Sequence, residues 1–387
     1  MKDVAIVAAV RSPIGRGIKG SMTKIRMDDL CADLIQEALK RAGSKFDPGW
    51  IEDVLIGCAM PEGEQGMNVA RMISILAGLP IEVGAATMNR FCGSSMQTLH
   101  DASRAIAMGE GDAFVIGGIE TMSNVPMGGY NVSFNKKLYK NPDMPDAYIP
   151  MGITAENVAK KFEVSRERMD EYAYRSHRKA VEATKAGKFK DEILPVQVDD
   201  GAGGTRSLEK DECPREDTTV EALARLKPVF IEGGSVTAGN SSPLNDGSAV
   251  MILMDADKAA KAGVPVLALV KARAVVGVEP ELMGIGPWPA TEKLLGRAGL
   301  KTDDVDLYEI NEAFASQSIA VVDKLGLDPV KVNPHGGAIA IGHPLGCSGA
   351  RILTTLLYDL KNEGGKRGVA AMCIGGGQGI ATLIETP

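Results

Sequence analysis

The chain has 387 residues, of which 44% are hydrophobic and 24% charged, so it can bury a large core and is not an intrinsically disordered protein. Its 45 glycines exclude a long coiled coil and predict many tight turns. A net charge of −7 gives no overall basic field for nucleic acid, so an anionic ligand would need a local pocket. At about 150 residues per domain, this length predicts two or three domains.

Short apolar runs alternate with amphipathic stretches from the N-terminus onward. Residues Val4–Val10 form an apolar run that predicts a buried strand, and Asp28–Ala42 has the period of a helix. The same pair recurs as a strand over Asp53–Gly57 and a helix over Ser94–Met108. This alternation predicts an α/β fold.

Two parts of the chain resemble each other. Residues 38–43 and 51–56 have counterparts at 294–299 and 303–308, and Arg41 and Arg297 lie 256 positions apart. A second match joins residues 112–118 to 369–376, each ending in glycines. The pattern predicts a duplicated α/β unit, although any two β-α-β stretches share some likeness. We expect an N-terminal half over 1–118, completed by about 249–268, and a C-terminal half over 269–387.

Between the two halves, residues 119–248 lose the α/β alternation. Prolines punctuate this segment, and helical periodicity is confined to Ala155–Phe162 and Arg166–Lys185. Long irregular segments in compact proteins often act as lids or binding loops. We therefore predict a loop domain that holds the substrate.

The six cysteines are scattered and include no C-x-x-C pair, which argues against both a disulfide framework and a zinc ribbon. No apolar run is long enough to span a membrane, and the N-terminus lacks the basic region of a signal peptide. The prediction is a soluble cytoplasmic protein without a metal site.

Cys92 lies in a turn between a predicted strand and the helix over Ser94–Met108. Unpaired N–H groups and the positive end of the dipole at a helix N-terminus favour a thiolate, which is a nucleophile. The alternative is a small buried residue that packs in a tight turn.

Two of the four histidines, His335 and His343, lie in the glycine-rich stretch 333–349. Gly342 and Pro344 fix the backbone on both sides of His343, as expected for a general base whose position matters. A structural histidine with a satisfied polar contact is the alternative reading.

Two further motifs follow predicted strands. Cys373 precedes the glycine cluster 375–377, where bare backbone N–H groups can form an oxyanion hole. Asn311 follows the predicted strand Val305–Ile310 and suits either a site at the strand end or a helix N-cap.

Taken together, these motifs resemble those of the thiolase family over the whole chain. The matching segments are Cys92–Ser95, Asn311–Ala315, Gly342–Gly346 and Cys373–Gly379, in that order and at those spacings. The resemblance implies duplicated α/β halves in a layered αβαβα arrangement with an inserted loop domain.

The resemblance also implies a role for each matched residue. Cys92 would carry the acyl group, His343 would activate it, and Cys373 would move the proton on the α-carbon and on the incoming CoA thiol. One oxyanion site would use His343 with a water held by Asn311. The other would use the backbone N–H groups of Cys92 and Gly375.

Coenzyme A enters this prediction as a substrate, with no permanently bound cofactor. The sequence has Pro150-Met151-Gly152 where short-chain biosynthetic members usually have His-Met-Gly. This departure favours degradation of longer 3-ketoacyl-CoA chains over acetoacetyl-CoA synthesis. The positions that match CoA-lining residues of the family are Met151, Arg215, Phe230, Ala238, Ser242, Ala313 and Phe314.

The predicted activity is thiolytic cleavage of 3-ketoacyl-CoA in fatty-acid β-oxidation. The alternatives are a biosynthetic acetoacetyl-CoA thiolase and a thiolase-like lipid-binding scaffold. Ketoacyl synthases use two histidines, and Cys373 at the second position argues against them. The family implies a homodimer or homotetramer, with a β-oxidation hydratase and dehydrogenase subunit as a further partner and no role for nucleic acid or a membrane span.

Overall fold

The structure is a computed structural model that describes residues 2–387. The helices are α1 (Met27–Ala42), α2 (Val69–Leu76), α3 (Ser94–Met108), α4 (Met151–Lys161), α5 (Arg166–Lys185), α6 (Val220–Ala224), α7 (Ala256–Ala262), α8 (Pro287–Ala298), α9 (Ala315–Leu325), α10 (Ala338–Ile341) and α11 (Ser348–Glu363). The strands are β1 (Val4–Arg11), β2 (Gly15–Arg16), β3 (Ile51–Gly57), β4 (Gly84–Met88), β5 (Ala113–Thr121), β6 (Val196–Asp199), β7 (Thr205–Leu208), β8 (Asn245–Asp255), β9 (Ala268–Gly277), β10 (Leu307–Ile310), β11 (Arg367–Ile374) and β12 (Gln378–Glu385).

The main sheet shows the duplication directly. Its strand order is β10-β11-β12-β9-β1-β8-β5-β3-β4, so β9, β12, β11 and β10 repeat the sequence β1, β8, β5, β3 outward from the centre. In both halves the outer pair is parallel and the inner pairs are antiparallel. The two copies join where β1 pairs with β9 through Ala5 with Leu269 and Ile6 with Ala268.

Three apolar cores hold five layers together, and the central core spans both faces of the middle helical layer. Helices α1 and α2 cover the outer face of the first copy, and α8 with the buried side of α9 covers the outer face of the second. Helices α3 and α11 lie between the two copies and contribute Leu99, Ile106, Leu353 and Leu356 to a core that both sheets share. The predicted αβαβα arrangement is thus confirmed, and the strand pair β1–β9 makes the two sheets continuous.

The two central helices approach each other closely at their N-terminal ends. The N–H of Ala350 donates to Ser95 Oγ at 2.9 Å, and a Cβ at Gly349 would lie 2.4 Å from the backbone nitrogen of Met96. Only glycine fits at this contact. Each helix follows a cysteine: Cys92 lies two residues before α3, and Cys347 lies directly before α11.

The inserted segment contains α4, α5, α6 and the hairpin β6–β7. Helix α5 covers the predicted range, whereas α4 begins at Met151, four residues earlier than predicted. Gly152 has a low helix propensity, which is why the sequence did not predict helix here. A Cβ at this position would lie 2.2 Å from the Phe230 ring, so the packing of α4 against Phe230 requires glycine. Within residues 2–387, none of the helices combines the length and apolar character needed to cross a bilayer.

Candidate active site

Cys92 lies at a strained turn between β4 and α3. The residue before it, Phe91, has a φ of 45°, a left-handed conformation that costs a non-glycine residue about 1 kcal/mol or more. Ser94 closes the turn, since its Oγ accepts from the N–H of Arg90 at 2.9 Å and donates to the carbonyl of Phe91 at 2.6 Å. The turn presents a partly exposed Cys92 ahead of the helix N-terminus.

The backbone N–H groups of Gly375 and of Cys92 itself lie close enough to the Cys92 sulfur to favour its charged form. Burial nevertheless raises the pKa of Cys92 to about 11, and these two groups lower it only in part. The helix N-terminus favours the thiolate, as predicted, but its effect on the pKa of Cys92 is smaller than that of burial. Desolvation of the charged sulfur outweighs the dipole, so the site needs a base to remove the proton.

Cys373 lies near the end of β11, opposite the Cys92 turn. A Cβ at Gly93 would lie 2.6 Å from Ile374, and one at Gly375 would lie 3.5 Å from the Phe91 ring, so the two segments are in contact. Burial raises the pKa of the Cys373 thiol, and the neighbouring Cys92 raises it further. The structure thus brings together the two cysteines and the glycine turn that the sequence predicted.

Hydrogen bonds assign the tautomer of His343. The Ser348 hydroxyl donates to the carbonyl of Pro344 at 2.7 Å and therefore accepts from His343 Nδ1, 2.6 Å away. Nε2 keeps its lone pair, toward which Asn311 Nδ2 donates at 3.3 Å. Burial lowers the pKa of His343 to about 3, and Arg351 lowers it as well. The imidazole is a neutral proton acceptor at physiological pH.

Two polar residues that the sequence analysis missed hold the His343 loop. Asn245, the first residue of β8, accepts from the backbone N–H of His343 at 2.8 Å. Glu120 on β5 is buried and accepts from the N–H of Gly346 at 2.8 Å and of Ala59 at 2.9 Å. A polar residue at the end of a buried strand was the available signal in both cases.

The loop segment and the C-terminal half together form an apolar wall beside Cys373. Ala313, Phe314, Ala155, Val236 and Met283 pack in one cluster with Cys373, and Met151 lies against it. Met151 also reaches the glycine turn, because its Sδ would be 3.8 Å from a Cβ at Gly375. These residues form a surface suited to an apolar chain next to the sulfur atoms.

The other residues predicted to contact CoA lie around this wall. Phe230 is exposed and meets Phe314 edge to face, with ring centroids 6.1 Å apart. Ser242 donates its N–H to the carbonyl of Ala313 at 3.0 Å, and Ala238 is exposed. Arg215 is exposed, and its N–H donates to Nδ1 of the buried His177 at 3.2 Å.

A surface groove of about 930 Å³ runs beside α4, away from both cysteines. Lys160, Lys161, Glu279 and Glu281 line it together with Leu282, whose neighbour Met283 belongs to the apolar wall. The groove holds none of the predicted catalytic side chains, so the chemistry of the site rests on the cysteine and histidine contacts described above.

Comparisons with known proteins agree with this geometry. Residues 4–257 match the thiolase N-terminal domain, and residues 264–386 match the thiolase C-terminal domain. The chain is 50% identical over 389 residues to a 3-ketoacyl-CoA thiolase of Aeromonas hydrophila, covering all of both chains. A 3-ketoacyl-CoA thiolase of Aliivibrio fischeri is 49% identical over 391 residues, again covering all of both chains.

Two solved structures share the fold. Human mitochondrial 3-ketoacyl-CoA thiolase superposes with a TM-score of 0.92 at 39% identity, covering 100% of this chain and 99% of the other. The acetyl-CoA acetyltransferase of Bacillus anthracis has a TM-score of 0.91 at 40% identity, with the same coverage. The fold and the relatives define the protein as an acyltransferase. The chain belongs to the thiolase family.

Proposed function

We propose that this protein cleaves 3-ketoacyl-CoA with CoA to give acetyl-CoA and a shortened acyl-CoA. The observation that carries the proposal is the meeting of Cys92, Cys373 and the Gly375 N–H in one site, with a neutral His343 on an adjoining loop. Relatives named 3-ketoacyl-CoA thiolase support the degradative direction. The apolar wall beside Cys373 suits an acyl chain.

In the first half of the reaction, His343 Nε2 takes the proton of Cys92 and the sulfur attacks the 3-keto carbon. Collapse of this adduct breaks the C2–C3 bond, leaving the acyl group on Cys92 and an enolate of acetyl-CoA. Cys373 gives its proton to C2, which releases acetyl-CoA. We assign His343, with a water that Asn311 would hold, to one oxyanion site and the N–H groups of Cys92 and Gly375 to the other.

In the second half, the Cys373 thiolate takes the proton of the incoming CoA thiol. The CoA sulfur attacks the acyl group, and Cys92 leaves and regains its proton from His343. Each group returns to its starting protonation state. Because burial raises the pKa of the Cys373 thiol, this residue begins the cycle protonated and can give its proton to C2.

Substrates of graded length test the degradative role. We expect kcat/KM for thiolysis to rise by about 10-fold or more from acetoacetyl-CoA to 3-ketohexanoyl-CoA and 3-ketodecanoyl-CoA, because each methylene that the site buries adds about 0.8 kcal/mol. A steady-state assay with each substrate measures it. A preference for acetoacetyl-CoA would support the biosynthetic alternative, and no acylation of Cys92 by acetyl-CoA would support the scaffold.

We propose that the loop segment 119–248 binds the CoA moiety. Met151, Ala313, Phe314 and Ser242 would line the pantetheine, with Phe230 and Ala238 at the mouth and Arg215 beside the phosphates. Arg215→Ala should raise KM for CoA about threefold to 10-fold, since an exposed ion pair contributes about 1 kcal/mol, and should leave kcat nearly unchanged. Arg225→Ala, an exposed arginine of the same segment, is the control. An equal effect of both substitutions would contradict the assignment.

We propose that the protein is a cytoplasmic homo-oligomer. Strand β4 is an unpaired edge of the sheet, and the adjacent helix α2 exposes Met72, Ile75 and Leu76. Such an edge suits pairing with a second copy.

Six free cysteines agree with a reducing compartment. Sedimentation measures the oligomeric state, and co-purification tests a hydratase and dehydrogenase partner that would supply the 3-ketoacyl-CoA.

A further inference from the structure

Glu120 on β5 is a buried carboxylate that takes no part in the proposed chemistry. Its side chain is 1% exposed, and its hydrogen-bond partners within residues 2–387 are N–H groups and the Cys58 thiol, with no ion pair. Burial raises the pKa of Glu120, and the N–H donors favour its ionised form. A buried carboxylate without a cation is costly. Its position therefore calls for an explanation other than stability.

One oxygen of this carboxylate joins two segments of the candidate active site. Glu120 Oε2 accepts from the N–H of Ala59 at 2.9 Å and from the N–H of Gly346 at 2.8 Å. Ala59 lies in the loop after β3, and Gly346 lies three residues after His343. The two segments are thus bridged through a single atom.

The Ala59 end of the bridge continues to the turn that carries Cys92. The carbonyl of Ala59 accepts from Asn89 Nδ2 at 3.0 Å. Asn89 Oδ1 in turn accepts from the N–H of Phe91 at 2.8 Å. Phe91 is the left-handed residue directly before Cys92. A continuous series of hydrogen bonds therefore leads from Glu120 to the cysteine turn.

Gly346 fixes the other end of the bridge. Besides the N–H that it donates to Glu120, its carbonyl accepts from the N–H of Ser95, in the first turn of α3, at 3.2 Å. A Cβ at this glycine would lie 2.7 Å from Cα of Cys58, so the backbone segments pack without a gap. The position of the His343 loop thus depends on the same oxygen atom as the cysteine turn.

We propose that Glu120 is a positioning residue that holds Cys92 and His343 at the separation needed to transfer the Cys92 proton. The inference rests on the proposed function, in which His343 is the base. A displacement of about 1 Å between reacting groups can cost about 100-fold in rate, so the bridge controls the reaction without touching the substrate. A carboxylate suits this position because each of its oxygens can accept two hydrogen bonds.

Glu120→Gln tests the bridge with a side chain of the same size. Oε1 of Glu120 accepts from Gln65 Nε2 at 2.9 Å and from the N–H of Met60 at 3.3 Å, so donors face both carboxylate oxygens. The Gln65 amide is fixed, because its own Oε1 accepts from the N–H of Thr121 at 2.7 Å. An amide at position 120 therefore directs its NH₂ group at two donors whichever way it lies. We expect one of the two bridged segments to move.

Alkylation of Cys92 by iodoacetamide measures the effect in the full-length protein without any CoA substrate, and peptide mass spectrometry identifies the site. Cys92 is partly exposed, whereas the other five cysteines are buried. At pH 7 we expect Glu120→Gln and His343→Asn each to react about 10-fold to 100-fold more slowly than the wild type. The difference should shrink toward about pH 10, where hydroxide removes the thiol proton. The double variant should react no more slowly than His343→Asn, because the bridge acts through that histidine.

Other roles of Glu120 give different results. Its charge raises the pKa of Cys92, so a purely electrostatic role predicts faster alkylation in Glu120→Gln. A merely structural role predicts losses that add in the double variant. Asp359→Asn removes a buried carboxylate near the C-terminal end of α11 and is the matched control, which should alkylate as the wild type does. Glu120→Asp keeps the carboxylate on a side chain one methylene shorter, and we expect an intermediate rate.

Unchanged or faster alkylation in Glu120→Gln, or additive losses in the double variant, would overturn the proposal. If Glu120→Gln does not fold, alkylation of Glu120→Asp at the wild-type rate overturns it instead. A wild-type rate in His343→Asn would contradict the base itself, and the positioning role with it. If the alkylation results are as expected but 3-ketoacyl-CoA is not cleaved, the proposed function alone is contradicted.

Discussion

Cys92→Ser should lower thiolysis by a factor of about 10⁴ or more while CoA still binds. A serine hydroxyl is far less acidic and less nucleophilic than a thiol, and a single neutral His343 cannot compensate for this difference. The pKa of Cys92, raised to about 11 by burial, already makes the wild-type sulfur depend on that base. Steady-state thiolysis and CoA binding by calorimetry measure the two effects separately.

Mass spectrometry after treatment with acetyl-CoA locates the acyl group. We expect the adduct on Cys92 in the wild-type protein and none in Cys92→Ser. Cys347→Ala is the matched control, because Cys347 occupies the corresponding turn before α11 and is fully buried, and it should label as the wild type does. An adduct on Cys373 or Cys347 would overturn the assignment of Cys92.

Cys373→Ala should still become acetylated at Cys92 yet lose exchange of the α-protons of acetyl-CoA with deuterium. Acylation uses Cys92 and His343, whereas chemistry at the α-carbon needs an acid and base over the enolate. Loss of such a group should slow exchange by about 10²-fold to 10⁴-fold. Proton NMR in deuterium oxide follows the exchange.

The acyl-enzyme must be scored in the same samples, because a misfolded variant would lose both activities. Cys58→Ala, at another buried thiol that lies beside Glu120, controls for removal of a sulfur atom from the interior. Exchange at the wild-type rate in Cys373→Ala would contradict the proton-transfer role, whether or not Cys92 is acetylated.

Local periodicity was sufficient for the helices that pack by one apolar face. Helix α3 and helix α5 have the predicted bounds, and β1 extends the predicted strand by one residue. The start of α4 was wrong because Gly152 is a poor helix former whose position depends on Phe230, nearly 80 residues away in the chain. Periodicity also does not show that β1 and β9 pair, since only long-range contacts decide it.

The sequence indicates which residues lie at the candidate site where they stand in short turn motifs. It does not indicate their protonation states, because these depend on burial. Cys92, His343 and Cys373 stand in short motifs that contain glycine, Asn311 directly follows β10, and the structure brings these segments together. The resting state of Cys92 was not predictable, because helix position favours the thiolate and only the folded structure shows how strongly water is excluded. Arg351 is part of a helix whose largely apolar sequence gives no sign of a buried arginine.

The turns before α3 and α11 occupy similar places in the two copies but differ in how they present a cysteine. In the first copy, Phe91 has a left-handed backbone conformation and the following Cys92 is partly exposed. In the second copy, Cys347 is fully buried in the core, and burial raises the pKa of its thiol. The duplicated fold therefore has a cysteine at both turns but exposes only Cys92. The turn before α11 follows His343 instead, so the two halves of the fold supply different groups to the proposed reaction: one half supplies the cysteine that would carry the acyl group, and the other supplies the histidine that would move its proton.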